Sequence, residues 1–174
     1  MKKIIFFALA LCAFSIISIN KVVAQDKNNR EEMKPGDPLP EFTLSSSVNG
    51  NISSKDVEGD VLLITFFATW CAPCQKELAA VQKELWPKYK NEKGFKLIVV
   101  GREHTDEELT TYNEAKKFSF PLYPDPKRGV YSKFADITIP RAYLFGKDGK
   151  LIHASKGYDE KEFENLMKMI EEAL

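Results

Sequence analysis

The segment Trp70-Cys71-Ala72-Pro73-Cys74 decides how the rest of this chain is interpreted. It follows the apolar run Val61 to Phe67 and opens the amphipathic stretch Gln75 to Trp86, so the cysteines stand at a predicted strand-to-helix junction. Backbone N–H groups and the positive end of the helix dipole favour a thiolate over a thiol at Cys71. Because the thiolate is the nucleophile in disulfide exchange, this placement predicts a reactive Cys71 and leaves Cys74 to resolve the mixed disulfide.

Two cysteines at this spacing are compatible with three functions. In a zinc site they would supply half of the ligands, but the remaining candidates, His104 and His153, do not stand at zinc-ligand spacing. A structural disulfide closing so short a loop would constrain the unfolded chain little. The third function, redox chemistry, is the one that the position before a helix favours.

Residues 1–24 have the layout of a secretory signal peptide. Met1-Lys2-Lys3 is basic, Ile4 to Ile19 is an apolar run of 16 residues interrupted by two serines, and Val22-Val23-Ala24 is a small-residue end. The run is shorter than the ~20 residues that cross a bilayer. We therefore expect cleavage and export to the periplasm, with an uncleaved N-terminal segment acting as a membrane anchor as the alternative.

Removal of residues 1–24 changes the charge and the number of cysteines. The full chain has 25 basic and 25 acidic side chains, whereas the exported part has 22 and 25, a net charge of −3. That balance provides no basic surface for nucleic acid or anionic lipid. An exported chain of about 150 residues buries enough core to fold without disulfides. The two remaining cysteines, Cys71 and Cys74, are therefore predicted to be chemical rather than structural.

The remainder of the chain is predicted to form one domain, residues 35–174, preceded by a polar and flexible leader at residues 25–34. Glu41 to Leu44 alternates polar and apolar residues, as a half-buried strand does. The following Asn49-Gly50 is a strong turn signal. Together they predict a small N-terminal β-hairpin.

Two nearly continuous apolar runs, Val61 to Phe67 and Phe95 to Val100, predict central strands that are covered on both faces. Further on, Ala142 to Phe145 and Leu151 to Ser155 flank a turn at 147–150 and predict an antiparallel pair. Strands that alternate with helices and end in a hairpin indicate an α/β fold with a mixed sheet.

Helices are predicted between and after these strands. Leu78, Val81 and Leu85 mark one face of the helix that follows the cysteines. The pattern Thr105-x-x-Glu108 is typical of a capping box that opens a further helix, and Asp159-x-x-Glu162 is predicted to cap the last helix.

The residues around the cysteines resemble the active-site segment of the thioredoxin superfamily. The likeness runs from Phe66 to Cys74 and returns at Thr138-Ile139-Pro140, where thioredoxin-like proteins carry a cis proline facing the dithiol. The segments Pro35 to Leu44 and Gly146 to Lys150 resemble the TlpA-like branch of extracytoplasmic thiol-disulfide oxidoreductases. The resemblance implies a thioredoxin fold, in which helices flank a central mixed sheet with an N-terminal β-hairpin extension. It implies no metal and no organic cofactor.

The resemblance also implies a role for each matching residue. Cys71 corresponds to the exposed nucleophile and Cys74 to the resolving thiol. Trp70 is expected to shield the dithiol and, with Ala72 and Pro73, to contact the substrate. From composition alone, core packing suits Trp70 equally well.

Ile139 and Pro140 are the other expected substrate contacts. Pro140 has no N–H, and a cis bond before it leaves the backbone groups of Ile139 free to pair with an extended substrate segment. Without the resemblance, an ordinary trans proline at a strand start is the default expectation.

Two positions differ from thioredoxin itself, which has a buried aspartate beneath the dithiol. The matching position here is Thr65, which cannot titrate at neutral pH. Glu77 follows Cys74 by three residues, on the same side of the predicted helix, and TlpA-like reductases carry an acid there. We hypothesise that Glu77 is catalytic and helps to move the proton of Cys74. The alternative is an exposed helix glutamate.

Four further residues bear on the direction of electron flow and on the site. Ala72-Pro73 has no histidine, and a histidine there would stabilise the thiolate, so its absence favours a reductant. Arg141 could place positive charge near Cys71, but a solvated strand-end arginine is the preferred interpretation. His104 is expected to be a surface residue beside a helix cap.

These observations predict an enzyme that reduces disulfides of protein substrates in the periplasm. A membrane thiol-disulfide electron donor is then needed to reset the pair, because that compartment is oxidising. The alternatives are a disulfide-donating oxidase, a peroxidase of the peroxiredoxin-like type and a binding module without activity. Peroxiredoxin-like proteins share the opening pattern at 35–42, but they carry a threonine where this chain has Ala68, three residues before Cys71.

Overall fold

The computed structural model describes residues 32–174. The predicted signal peptide, 1–24, lies outside the described residues, and so does the part of the predicted leader before residue 32. The strands within the described range are β1 (Thr43–Ser46), β2 (Gly50–Ser53), β3 (Val61–Phe67), β4 (Phe95–Arg102), β5 (Leu122–Asp125), β6 (Arg141–Phe145) and β7 (Leu151–Lys156). The α-helices are α1 (Ala72–Ala80), α2 (Trp86–Tyr89), α3 (Asp106–Lys116) and α4 (Glu160–Ala173).

The strands form a mixed sheet with the order β5-β4-β3-β6-β7 and a separate antiparallel pair, β1-β2. In the mixed sheet β3 pairs in parallel with β4 and antiparallel with β6. All seven residues of β3 are buried, which explains why its sequence is continuously apolar instead of alternating. The predicted mixed sheet and N-terminal hairpin are confirmed.

The helix after the cysteines is longer and less regular than predicted. It starts at Ala72 and continues through a π-helical turn, Val81–Leu85, into α2. Pro87 lies in the first turn of α2. Because proline has no N–H to donate to the preceding turn, the helical pattern has to change here, and the π-helical turn lies directly before this position.

The predicted helix starts of α3 and α4 are confirmed. At α3, the Glu108 N–H donates to Thr105 Oγ1 at 3.3 Å and the Thr105 N–H donates to Glu108 Oε2 at 2.7 Å, a complete capping box. At α4, the Glu162 N–H donates to Asp159 Oδ1 at 3.0 Å. Both helices are therefore anchored by side chains next to their first turns.

The sheet separates two apolar cores. The first contains Phe67, Cys71 and Cys74, and we call it the cysteine-side core. The second contains Phe66 with a group of aromatic side chains, and we call it the tyrosine-side core. Phe66 and Phe67 are adjacent, so they point to opposite faces of the sheet, and the end of β3 serves both cores.

Candidate active site

Cys71 and Cys74 form a disulfide at the start of α1, with their Cα atoms 5.2 Å apart. Cys71 is the N-cap residue, and its sulfur accepts the Cys74 N–H at 3.3 Å. The first turn contains no acidic side chain. After reduction, a thiolate at Cys71 therefore meets a helix N-terminus without an opposing carboxylate in that turn, which favours the ionised form.

The prediction of an exposed Cys71 is wrong for this disulfide-bonded state. Only 5% of Cys71 is exposed, although it is still more accessible than Cys74, at 0%. Its sulfur lies 3.8 Å from the carbonyl oxygen of Ile139. Bonding to Cys74 on one side and packing against the Ile139 loop on the other accounts for the burial.

The peptide bond between Ile139 and Pro140 is cis, as the resemblance implied. Pro140 is buried and Ile139 is partly exposed. The bond lies directly before β6, whose Arg141 is paired with Phe66 near the end of β3. The antiparallel pairing of β3 and β6 therefore brings this loop to the same end of the sheet as the cysteines.

The segments that carry the cysteines and the cis peptide bond expose several apolar side chains to solvent. Trp70 and Ile137 are both 69% exposed, and Ala72 and Pro73 are exposed as well. Core packing, the alternative considered for Trp70, is thereby excluded. Large exposed apolar side chains that flank a reactive pair are typical of a surface that contacts other proteins.

Glu77 is buried, so the alternative of an exposed helix glutamate is wrong. Only 5% of the residue is exposed, and its Oε1 lies 2.5 Å from the Thr65 hydroxyl oxygen. Burial raises the pKa of Glu77 to about 7. The Thr65 hydrogen bond opposes this shift and the charge of Glu162 adds to it. The non-titrating Thr65 on β3 thus contacts an acid that α1 supplies.

Thr65 can serve both protonation states of Glu77. Its hydroxyl oxygen lies 2.5 Å from Glu77 Oε1 and 3.2 Å from the Arg141 carbonyl oxygen. An ionised Glu77 accepts the single hydroxyl proton, whereas a neutral Glu77 donates to Thr65, which then donates to the carbonyl. Glu77 also lines a cavity of about 10 Å³, enough for roughly one water molecule.

His104 is buried, and the prediction of a surface residue is wrong. Its Nε2 accepts the Thr69 N–H at 3.0 Å, while its Nδ1 lies 3.6 Å from Glu108 Oε2. This geometry assigns the neutral tautomer with its proton on Nδ1. His104 thus supports the segment that leads to Cys71. The sequence signal was its position after the central strand β4, where α/β proteins place functional residues.

Arg141 is also buried, and the prediction of a solvated arginine is wrong. Its Nη2 donates to Glu32 Oε1 at 2.8 Å and to the Ile137 carbonyl at 3.5 Å. The neighbouring Ala142 packs in the cysteine-side core. Because side chains alternate along a strand, Arg141 faces the other side of the sheet, which does not place its charge at Cys71.

Comparison with known proteins agrees with this geometry. A family model described as the AhpC/TSA family matches residues 35–154. The chain belongs to the AhpC/TSA family. It is 33% identical over 144 residues to the thiol-disulfide oxidoreductase ResA of Bacillus cereus, covering 82% of each chain. It is 25% identical to ResA of Bacillus subtilis, covering 84% of this chain and 79% of that one.

Solved structures show the same fold. A solution structure of a candidate protein disulfide isomerase from Bacteroides thetaiotaomicron matches with a TM-score of 0.78 and 29% identity, over 82% of this chain and 91% of that chain. A crystal structure of a candidate thiol:disulfide interchange protein DsbE from Chlorobium tepidum matches with a TM-score of 0.73 and 25% identity, over 82% and 99%.

The predicted thioredoxin fold and TlpA-like resemblance are therefore confirmed, and the chain is a thiol-disulfide oxidoreductase with a paired Cys71 and Cys74. Among residues 32–174, no three or more His, Cys, Asp or Glu side chains are grouped so that they could hold a metal ion. Within the same range, every helix is too short or too polar to cross a membrane.

The raised pKa of Glu77 predicts a pH-dependent stability. Because folding raises this pKa from 4.5 to about 7, the folded protein holds a proton that the unfolded chain has lost between these values. The free energy of unfolding of the oxidised protein should therefore fall as the pH rises through this window. Glu77→Gln should remove this pH-dependent change in the free energy of unfolding, which is of the order of 3 kcal/mol.

Denaturant unfolding from pH 4 to 8 measures this effect. Glu84→Gln is the matched control, because Glu84 lies further along the same helical segment and is exposed. The control should follow the wild-type curve, whereas Glu77→Gln should flatten it. Parallel curves for wild type and Glu77→Gln would contradict the account of a buried, protonated Glu77.

Proposed function

We propose that this oxidoreductase reduces protein disulfides in the periplasm, with Cys71 as the attacking cysteine and Cys74 as the resolving one. The observation that carries the proposal is the placement of the Cys71 sulfur. It caps the start of α1 and lies beside the Ile139 carbonyl. A thiolate is stabilised there by the helix N-terminus, and it lies next to the backbone to which a substrate would bind.

The reaction starts from the reduced pair. The Cys71 thiolate attacks one sulfur of a substrate disulfide, a mixed disulfide forms, and the other substrate sulfur leaves as a thiolate. The Cys74 thiolate then attacks the Cys71 sulfur and releases the first substrate sulfur. Two electrons have passed to the substrate, and the Cys71–Cys74 disulfide remains. A membrane thiol-disulfide donor returns two electrons in an oxidising compartment.

The apolar surface supports docking of a polypeptide rather than a small polar molecule. Trp70, Ala72 and Pro73 are proposed to cover one side of the substrate segment. Ile139 is proposed to pair with its backbone by strand addition, beside Pro140, which has no N–H of its own. Backbone pairing depends little on the side chains of the partner, so it is compatible with several substrate proteins.

Glu77 is proposed to accept the proton of Cys74 during resolution. A pKa of about 7 leaves both protonation states of Glu77 populated at neutral pH, as general acid–base catalysis requires. The Thr65 hydroxyl provides a partner for either state, and the small cavity that Glu77 lines supplies room for a water molecule between Glu77 and solvent.

The proposed location rests on the signal-peptide layout of residues 1–24. The reducing direction rests on the uncharged Ala72-Pro73 between the cysteines, which gives the thiolate no histidine to stabilise it. The opposite direction, disulfide donation, would use the same residues in reverse. A peroxidase is kept as a second candidate because the chain belongs to the AhpC/TSA family and shares its opening segment with peroxiredoxin-like proteins.

Trapping of the mixed disulfide tests the assignment of the two cysteines. Cys74→Ser keeps the attacking thiol but cannot resolve, so it should accumulate a mixed disulfide through Cys71 with a disulfide-containing protein. Cys71→Ser should accumulate none. Mass spectrometry without reducing agent measures the adduct. Trapping by Cys71→Ser alone would reverse the assignment, and catalytic consumption of hydrogen peroxide by the wild type would favour the peroxidase.

The pH profile of resolution tests Glu77. In stopped-flow reduction of a protein disulfide, the second phase corresponds to the resolution step. Its rate in the wild type should rise with pH and level off near the pKa of Glu77. Glu77→Gln should slow this phase by about 10²-fold at pH 7, a typical contribution of a general base. Its rate should also no longer level off near the pKa of Glu77. Glu84→Gln should behave as wild type. An unchanged profile in Glu77→Gln would remove Glu77 from the mechanism.

A further inference from the structure

The loop before the cis peptide bond, residues 136–139, has its backbone carbonyls held in sequence by three side chains. Arg128 Nη2 donates to the carbonyl of residue 136. Arg141 Nη2 donates to that of residue 137 at 3.5 Å, and the Tyr131 hydroxyl donates to that of residue 138 at 2.6 Å. The next carbonyl, at 139, lies 3.8 Å from Cys71 Sγ. We call these three side chains the carbonyl clamp.

Tyr131 is the central residue of the clamp, and both its backbone and its ring are held by neighbouring residues. Its N–H donates to the buried carboxylate of Asp125 at 2.7 Å, which ties it to the end of β5. The guanidinium carbons of Arg102 and Arg128 each lie 5.1 Å from the centre of its ring. The ring of Phe66, at the end of β3, packs against it edge-on at 5.3 Å. The hydroxyl that reaches the loop therefore has little freedom to move.

The backbone that the clamp holds is unfavourable without it. Thr138, inside the held segment, has φ of 75°. A left-handed conformation is costly for a β-branched residue such as threonine, and it persists only where the surroundings enforce it. Such conformations concentrate at functional sites because the loop is held in one shape before its partner arrives.

We propose that Arg128, Tyr131 and Arg141 are positioning residues for disulfide exchange: they fix residues 136–139 so that Ile139 presents its backbone to the substrate beside Cys71. The clamp approaches the loop from the tyrosine-side core, whereas the cysteines lie in the cysteine-side core. It therefore acts through the loop and does not touch the sulfur atoms. This inference rests on the proposed docking of substrate at Ile139.

The clamp should matter for protein substrates and not for small disulfides. A substrate that binds by strand addition needs the Ile139 backbone at a set position. A small aromatic disulfide needs only the Cys71 thiolate. A purely structural role for the clamp would instead change the stability of the protein and affect both classes of substrate alike.

The chain offers a matched pair of buried tyrosines for the test. Tyr131→Phe removes the hydroxyl that holds the loop. Tyr89→Phe removes the hydroxyl of another buried tyrosine, which donates to the Met167 carbonyl at 3.2 Å in the cysteine-side core, on the other face of the sheet from the clamp. Each substitution deletes one oxygen and one bond to a backbone carbonyl. Any cost that comes only from losing a buried hydrogen bond should therefore be similar in the two variants.

The reduced wild type and both variants are assayed with a disulfide-bonded protein and with 5,5′-dithiobis(2-nitrobenzoate), a small aromatic disulfide. Tyr131→Phe should lower the second-order rate constant of this single turnover with the protein substrate by about tenfold, the factor equivalent to one lost hydrogen bond. Its rate with the small disulfide should stay within about twofold of wild type. Tyr89→Phe should leave both rates near wild type. Unfolding curves show how much stability each variant has lost.

Equal losses in Tyr131→Phe and Tyr89→Phe, or equal losses with both substrates, would overturn the positioning role. If Tyr131→Phe does not fold, Arg128→Met is the alternative variant, because it removes the donor to the carbonyl of residue 136. It should show the same difference between the protein and the small disulfide. If Cys74→Ser forms no Cys71 adduct with protein disulfides, the proposed function fails. If it forms the adduct but no clamp variant discriminates between the substrates, only this inference fails.

Discussion

The pairing of β3 on both of its edges is the constraint on which the rest of the structure depends. Antiparallel pairing with β6 brings the loop before Pro140 to the end of β3 at Phe67, from which the chain runs on to Cys71, and parallel pairing with β4 brings His104 to the same end. The loop after β3 carries Cys71 to the start of α1, and the loop before β6 carries the cis bond before Pro140. The sheet therefore sets the distance between Cys71 Sγ and the Ile139 backbone. The remaining requirement is that each of the two loops keeps its local conformation.

The local shape of each loop is maintained by buried polar groups rather than by apolar packing alone. On the cysteine side, His104 holds the Thr69 N–H and Glu77 bonds to Thr65. On the other side, the carbonyl clamp holds the loop before Pro140. Burying a carboxylate such as Glu77 costs stability. That cost is consistent with an enzyme in which a proton-transfer group needs a pKa near neutrality.

The strands, the helix caps and the reactive pair could be predicted because each depends on a short stretch of sequence. The strand bounds of β3 and the Thr105 cap follow from local pattern alone. The burial of His104 and Arg141 could not be predicted in this way. Their partners, Thr69 and Glu32, are 35 and 109 residues away in the sequence. Such contacts depend on which loops the sheet brings together, which residue type and spacing do not reveal.

The reduction potential of the Cys71–Cys74 couple is the most direct test of the central claim that this protein donates electrons to protein disulfides. It is measured by equilibrating the wild type with a graded series of glutathione or dithiothreitol mixtures and quantifying the free thiols. We predict a value at or below about −230 mV, on the thioredoxin side of the known range. A value near about −120 mV, typical of a strong periplasmic oxidant, would contradict it and identify a disulfide donor.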